Sequence, residues 1–207
     1  MQRILDGIRS FHDHRAHDVD FLTDDMVSAQ RPEILLVTCS DSRVVPEIVT
    51  RSGPGRIFTI RNAGNILPDT GEGHSEEGTI EYGINVLRIK HLVICGHTHC
   101  GAMGALFLDE LAESAITRWI QHADDAKARA LKVSSSRDQA MLRAAYENVL
   151  LQLERAARYP SVAAALAEGR LELWGWVYDI RTAAFARWDA EQRRWVDLLN
   201  KDLPLAL

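Results

Sequence analysis

The chain is poor in cysteine, with three in 207 residues, and so small and odd a count cannot build the disulfide framework that staples small secreted domains. Reduced thiols are then available to a metal, and a cytoplasmic setting is the expectation. No apolar run approaches the roughly 18 residues of a spanning helix, so no membrane partner is expected. Positive charge is not concentrated either. Lys and Arg number 24 against 29 Asp and Glu, a net charge of −5 with the basic residues scattered, which gives no field to hold a polyanion and argues against nucleic acid. Internal repeats, low-complexity tracts and linkers are lacking too. Met1 to Phe11 mixes Arg3, Asp6 and Arg9 with Ile4, Leu5 and Ile8, which reads as an amphipathic helix and not as a signal peptide.

What is present describes a folded protein. Apolar residues make up 46% and charged residues 26%, and the length suits one domain with a core that needs no staple. Residues up to Ala29 show helical spacing, with Val19, Leu22, Met26 and Val27 expected as a buried face, and Arg31-Pro32 ends that arm. Ile34 to Thr38, Arg56 to Ile60 and His91 to Cys95 are short apolar runs rich in β-branched residues, as strands buried on both faces require. Between the second and third, Ile80, Ile84 and Leu87 recur at helical intervals, and the alternation of strand, helix and strand implies a parallel sheet. Residues 113–168 are helical in pattern, broken at Lys132 to Ser136 and at Tyr159-Pro160; Leu171 to Tyr178 and Ala183 to Trp188 read as two more strands. The expected fold is α/β: a mainly parallel sheet of four strands with one added edge strand, helices on its faces and an N-terminal helical arm.

Two polar clusters follow expected strands. Cys39-Ser40-Asp41-Ser42-Arg43 closes the first, and Gly96-His97-Thr98-His99-Cys100-Gly101 closes the third, so both leave the sheet edge at which parallel sheets bind ligands. Zinc prefers thiolate and imidazole, and a catalytic zinc site keeps three protein ligands with one vertex open; Cys39, His97 and Cys100 supply that set. Alone, His-x-x-Cys reads more readily as two buried small residues at a strand end, and Cys39 changes the balance. Asp41 and Arg43, at alternate positions, can point to one side and pair, either as a working dyad or as a plain surface ion pair. Cys95, inside the third strand, reads as a small buried hydrophobe. His12, His14 and His17 read as a solvated helix face, and His74, His91 and His122 have no partner legible in the sequence.

These two motifs resemble the signature motifs of β-class carbonic anhydrases. The resemblance continues through Arg61-Asn62-Ala63-Gly64-Asn65, Glu81-Tyr82, Tyr159-Pro160 and Gly175-Trp176-Val177-Tyr178-Asp179-Ile180, and is nearest to the bacterial members associated with cyanate degradation. It implies a single domain over 1–207, divided into an arm (1–30), a zinc-site core (31–110), a helical region (111–168) and C-terminal strands (169–207). It implies one Zn2+ per subunit on Cys39, His97 and Cys100, Asp41 and Arg43 as the catalytic dyad, and Gln30, Phe58, Gly64 and Tyr82 around the substrate, partly from a neighbouring subunit of a homodimer or tetramer. Without the resemblance, Phe58 and Tyr82 would be core aromatics and Gln30 a surface residue.

The implied reaction is reversible hydration of carbon dioxide to bicarbonate and a proton. Hydrolysis of carbon disulfide or carbonyl sulfide on the same zinc site is the alternative chemistry, and a non-catalytic structural zinc site the alternative class. Two thiolates on the zinc acidify water less than three histidines would, so activity is expected to rise towards alkaline pH. Leu36 occupies the position at which some relatives carry a bicarbonate-binding Trp, so the expected site is open, with water and not Asp41 as fourth ligand. His99, between two ligands, is a candidate proton shuttle or else a plain loop histidine.

Overall fold

A computed structural model describes residues 1–14, 23–71, 74–109 and 112–200. Two helices come first, α1 (Gln2–His14) and α2 (Asp24–Ser28), followed by strand β1 (Ile34–Cys39), helix α3 (Pro46–Thr50) and strand β2 (Ile57–Asn62). Helix α4 (Ser75–Glu81) runs into a π-helical turn at Tyr82–Val86 and leads to strand β3 (His91–His97). Helices α5 (Gly101–Ala105), α6 (Ala115–Ile120), α7 (Asp124–Val133), α8 (Arg137–Ala156) and α9 (Pro160–Ala167) precede strands β4 (Glu172–Tyr178), β5 (Phe185–Asp189) and β6 (Arg194–Asp197).

The strands form one sheet in the order β2-β1-β3-β4-β5-β6. The first four are parallel, and β5 and β6 are antiparallel additions. The sheet therefore has six strands where the sequence pattern suggests five, and the edge belongs to β6, not β5. Strand β6 has four residues, of which Trp195 and Val196 are buried and Arg194 and Asp197 are not, too short a run to show a period.

Strand β1 shows why the central strands are apolar throughout. Leu35 and Val37 enter the core beneath α4, α8 and α9 with Ile80, Ile84, Val149 and Val162. The intervening Leu36 enters the opposite cluster with Val44, Val93, Cys95 and Tyr178. Successive strand side chains point to opposite faces, so a strand covered on both sides needs both sets apolar, and each fully buried Leu or Ile contributes about 1.5–3 kcal/mol. Helix α8 crosses β3 closely at Gly96, where a Cβ would lie 2.9 Å from Val149 Cγ2 and 3.2 Å from the Ala145 carbonyl.

Helix breaks fall where the chain chemistry puts them. The Ser136 side chain accepts the Gln139 N–H to start α8, and Pro160 opens α9, where a missing N–H costs nothing. The arm departs from expectation. Val27 is 74% exposed and no residue of α1 or α2 is buried, although Met26 is half-buried against Gly55; Val19, Leu22 and His17 lie outside the described residues.

Candidate metal centre

Strand β1 extends one residue beyond its sequence pattern and β3 two, so that Cys39 and His97 are the last residues of neighbouring parallel strands. Between β1 and β3 the strand order reverses, since the chain passes from β1 to β2 on one side and from β3 to β4 on the other. A crevice opens at such a switch point, outside the carboxyl ends of the strands. His99, in the left-handed region at φ 55°, turns the chain between β3 and α5 and so brings Cys100 back beside His97.

The nearest ligand atoms of Cys39, His97 and Cys100 lie within 4.8 Å of one another, and all three residues are buried. Among the described residues no carboxylate joins that group. The two sulfurs are 3.9 Å apart, close to the span of about 3.8 Å set by two Zn–S bonds at a tetrahedral angle. His97 Nδ1 lies 2.9 Å from the Thr98 carbonyl, which only accepts, so that nitrogen carries the proton and Nε2 keeps its lone pair. Nε2 is buried and has no hydrogen-bond partner, an orphan that a cation would satisfy.

The sulfurs share one another's charge. Cys39 is driven well below the ordinary thiol range by the hydrogen bond from Cys100, against burial that opposes it, with help from His97 and the Gly64 N–H, which donates to Sγ at 3.3 Å. Cys100 is pushed up, first by the same contact and then by burial. One negative charge thus stands ready and a second waits for a cation, the behaviour of a site that releases a proton on binding metal. Cys95, by contrast, is pushed up to about 12 by burial and stays a neutral core thiol.

Asp41 and Arg43 form a fork. Arg43 Nε and its backbone N–H donate to Asp41 Oδ1, each at 2.9 Å, and Nη2 donates to Oδ2 at 2.7 Å. These bonds hold the Asp41 carboxyl well below the usual carboxylate range. Oδ2 also lies 3.8 Å from His97 Nε2, so an ionised, fixed carboxylate borders the ligand group without entering it. Arg43 further donates to the His99 carbonyl at 3.2 Å, tying the dyad to the ligand turn.

Gly64 sits at φ 86°, and a Cβ there would come 3.0 Å from Ala102 Cβ and 3.1 Å from Met103 Cε; only glycine brings its N–H to Cys39 without displacing α5. The loop around it is held by residues that the sequence pattern does not reveal. Asn148 Nδ2 donates to the Gly64 carbonyl at 2.8 Å, Gln152 Oε1 accepts the Leu67 N–H at 2.9 Å and Gln152 Nε2 donates to Asn148 Oδ1 at 2.8 Å. Arg155 donates to the Leu67 carbonyl and the Tyr159 hydroxyl to that of Pro68. The available signal was polar residues at helical spacing, 148, 152 and 155, on the otherwise apolar face of α8.

Gln30, Phe58 and Tyr82 are not brought to the metal group within one chain. Phe58 pairs with Leu35, four residues before Cys39, a separation of about 13 Å along the strand. It lies against Tyr82 with ring centroids 6.0 Å apart, beside the outer strand β2, while Gln30 borders a separate cavity with Met26 and Arg56. Leu36 is buried in the core, and Arg61 gives its guanidinium to the carbonyls of Cys39, Asp41 and Val44.

A largely parallel sheet carrying a Cys, His, Cys group and an Asp–Arg fork at its switch point defines a class of protein, and comparison with known proteins identifies it. The carbonic anhydrase family model matches residues 34–185. Carbonic anhydrase of Pseudomonas aeruginosa is 40% identical over 204 residues, covering 96% of this chain and 92% of that protein. Carbonic anhydrase 1 of Escherichia coli O157:H7 is 40% identical over 205 residues, with the same two shares. The solved structure of the β-carbonic anhydrase CcaA superposes with a TM-score of 0.88 at 34% identity, covering 95% of this chain and 91% of that one. A tetrameric β-carbonic anhydrase of Sordaria macrospora gives 0.81 at 26% identity, covering 90% and 95%. The chain belongs to the carbonic anhydrase family, in its β class, and is an enzyme.

Proposed function

We propose that this protein hydrates carbon dioxide reversibly on one zinc ion per subunit, held by Cys39, His97 and Cys100, with Asp41 and Arg43 as the catalytic dyad. The observation that carries the reading is the buried, unpartnered Nε2 of His97 facing two sulfurs 3.9 Å apart. When bound, zinc supplies Lewis acidity that brings the pKa of water towards about 7.

The protein's own residues do the rest. Two thiolates and a neutral imidazole match the charge of the cation, and the Thr98 carbonyl keeps His97 in the tautomer that can ligate. Asp41, kept ionised by Arg43, accepts a hydrogen bond from the attacking water and turns an oxygen lone pair towards the carbon of carbon dioxide. The new carbon–oxygen bond gives bicarbonate, and the proton passes to solvent. The commitment of both Asp41 oxygens to Arg43 supports an open site with water in the fourth position. It also weighs against a structural zinc site, which four protein ligands would close.

The pocket that receives carbon dioxide is completed by Gln30, Phe58 and Tyr82 from a second copy of the chain, next to Gly64 of the first, so the working unit is at least a homodimer. Stopped-flow hydration with metal analysis on the same sample tests the assignment, with Cys39→Ser as control. Expected are stoichiometric zinc, activity that rises between about pH 6 and 9, and a control that has lost both metal and turnover. Hydrogen sulfide release from carbon disulfide without hydration of carbon dioxide would overturn it.

A further inference from the structure

Against the turn that carries the metal ligands lies a cavity of about 380 Å³ that the proposed chemistry does not use. It opens between the end of α7, the first half of α8 and the loop after β4, and Thr98 and His99 form its floor. Val133, Leu142 and the ring of Tyr146 supply its apolar lining, and Arg143, Arg181 and Asp179 its charged lining.

Hydrogen-bond donors dominate the polar part. Arg143 gives Nε to Glu147 Oε1 at 3.0 Å, which leaves its two terminal nitrogens without an acceptor among the described residues, and the Arg181 guanidinium has none there either. Gln139 also lines the cavity and spends its carbonyl oxygen on the Ser135 N–H and hydroxyl, so its amide nitrogen is open. Ser134 Oγ is buried and unpartnered. Burial pushes the Tyr146 phenol up, and it stays a donor at neutral pH.

The one carboxylate of the wall is already engaged. Asp179 Oδ1 accepts the N–H groups of Arg181 at 2.8 Å and Thr182 at 3.3 Å and the Thr98 hydroxyl at 3.4 Å. Burial raises this carboxyl, but those bonds together leave it below its ordinary value, hence ionised. Glu147 and Asp179 balance the two guanidinium charges, so what the cavity offers a ligand is open donors: the terminal nitrogens of Arg143 and the guanidinium of Arg181.

We propose that this cavity is a second ligand site, distinct from the metal centre, which takes a small organic monoanion with a flat apolar body. The carboxylate of the ligand meets Arg143 and Arg181, as forked guanidinium donors favour, and the body lies between Val133, Leu142 and Tyr146. A fully inorganic anion would leave the apolar wall uncovered, and a neutral aromatic would leave the guanidinium donors unmet.

The test uses the full-length, zinc-loaded protein and 2-naphthoate as probe, followed by calorimetry and saturation-transfer NMR, with uncharged 2-naphthamide as comparison. Excess azide occupies the metal's open position throughout a parallel series. Expected is a Kd at or below about 1 mM for the carboxylate, unchanged by azide and about tenfold weaker in Arg181→Gln, with the amide weaker by a similar factor. Absence of binding up to about 10 mM, loss of binding in azide, or equal affinity in Arg181→Gln would overturn the proposal. So would a fall in sedimentation coefficient for Leu142→Arg, since a second copy of the chain would then be what covers the cavity. None of these readouts depends on turnover, so they separate this site from the hydration chemistry.

Discussion

Asp41 illustrates how one residue is prepared by its neighbours. Its carboxylate receives three bonds from Arg43, and the two side chains keep one geometry because a guanidinium fork matches a carboxylate in plane. Replacing it with Asn keeps the shape, removes the charge and sets an N–H2 group against Arg43. Asp41→Asn is therefore expected to lower kcat/KM by about 10–100-fold while zinc content by metal analysis stays at one per subunit; simultaneous loss of zinc would assign Asp41 to the ligand set. Residues of this kind were legible in the sequence because two cysteines, a histidine and a charged pair came together at the ends of two neighbouring strands. Gln30, Phe58 and Tyr82 were legible only by resemblance, since a glutamine at a helix end and two aromatics beside a strand are what any surface and core contain.

Among the elements, α8 does more than cover the sheet. Its Asn148 and Gln152 are fully buried and bond to the loop that presents the Gly64 N–H to Cys39, so the helix sets the position of Cys39 through that loop. Asn148→Ala leaves the Gly64 carbonyl and the Gln152 amide unpaired in the interior, and a stability loss of about 1–3 kcal/mol is expected in urea denaturation, with zinc held more weakly in competition with a chelator. On the far side of α8, Arg129 of α7 holds Glu154 in a two-point ion pair at 2.8 and 2.7 Å, which lowers the Glu154 carboxyl below its ordinary value. A carboxyl whose folded pKa is depressed contributes its stabilisation above the unfolded pKa, about 4.3, and loses it as pH falls through the folded one. Both side chains are substantially solvated, so wild type should exceed Glu154→Gln by only about 0.5 kcal/mol at neutral pH. That gap should close below about pH 4, as thermal melts across pH would show. The central strands were legible as elements because burial on both faces leaves them uniformly apolar. The short helices α3 and α5 carry no full period, and the turn at Tyr82–Val86 continues α4 with a different hydrogen-bond pattern that side-chain spacing does not encode.

At the scale of the whole molecule, one chain leaves apolar surface and a sheet edge uncovered. Helix α1 is amphipathic, yet Ile8 is 60% and Phe11 49% exposed and none of its residues is buried; a helix of 13 residues with so little burial is marginal in water. Strand β2 ends the sheet, and an uncovered edge strand offers unpaired N–H and C=O groups to a second chain. Phe58 and Tyr82 lie at that same edge, away from their own metal group. The arm, the edge and the displaced aromatics are accounted for together if a second copy supplies what each lacks, a relation that no periodicity within a single sequence reveals. Sedimentation at falling protein concentration, run beside carbon dioxide hydration, measures this directly. The expected result is an assembly of at least two subunits whose dissociation removes activity per subunit in parallel, and a double variant Ile8→Glu, Phe11→Glu that dissociates at higher concentration than wild type while still binding zinc. A monomer with full turnover would show that the pocket is built within one chain, and the roles of Gln30, Phe58 and Tyr82 would fall with the dimer.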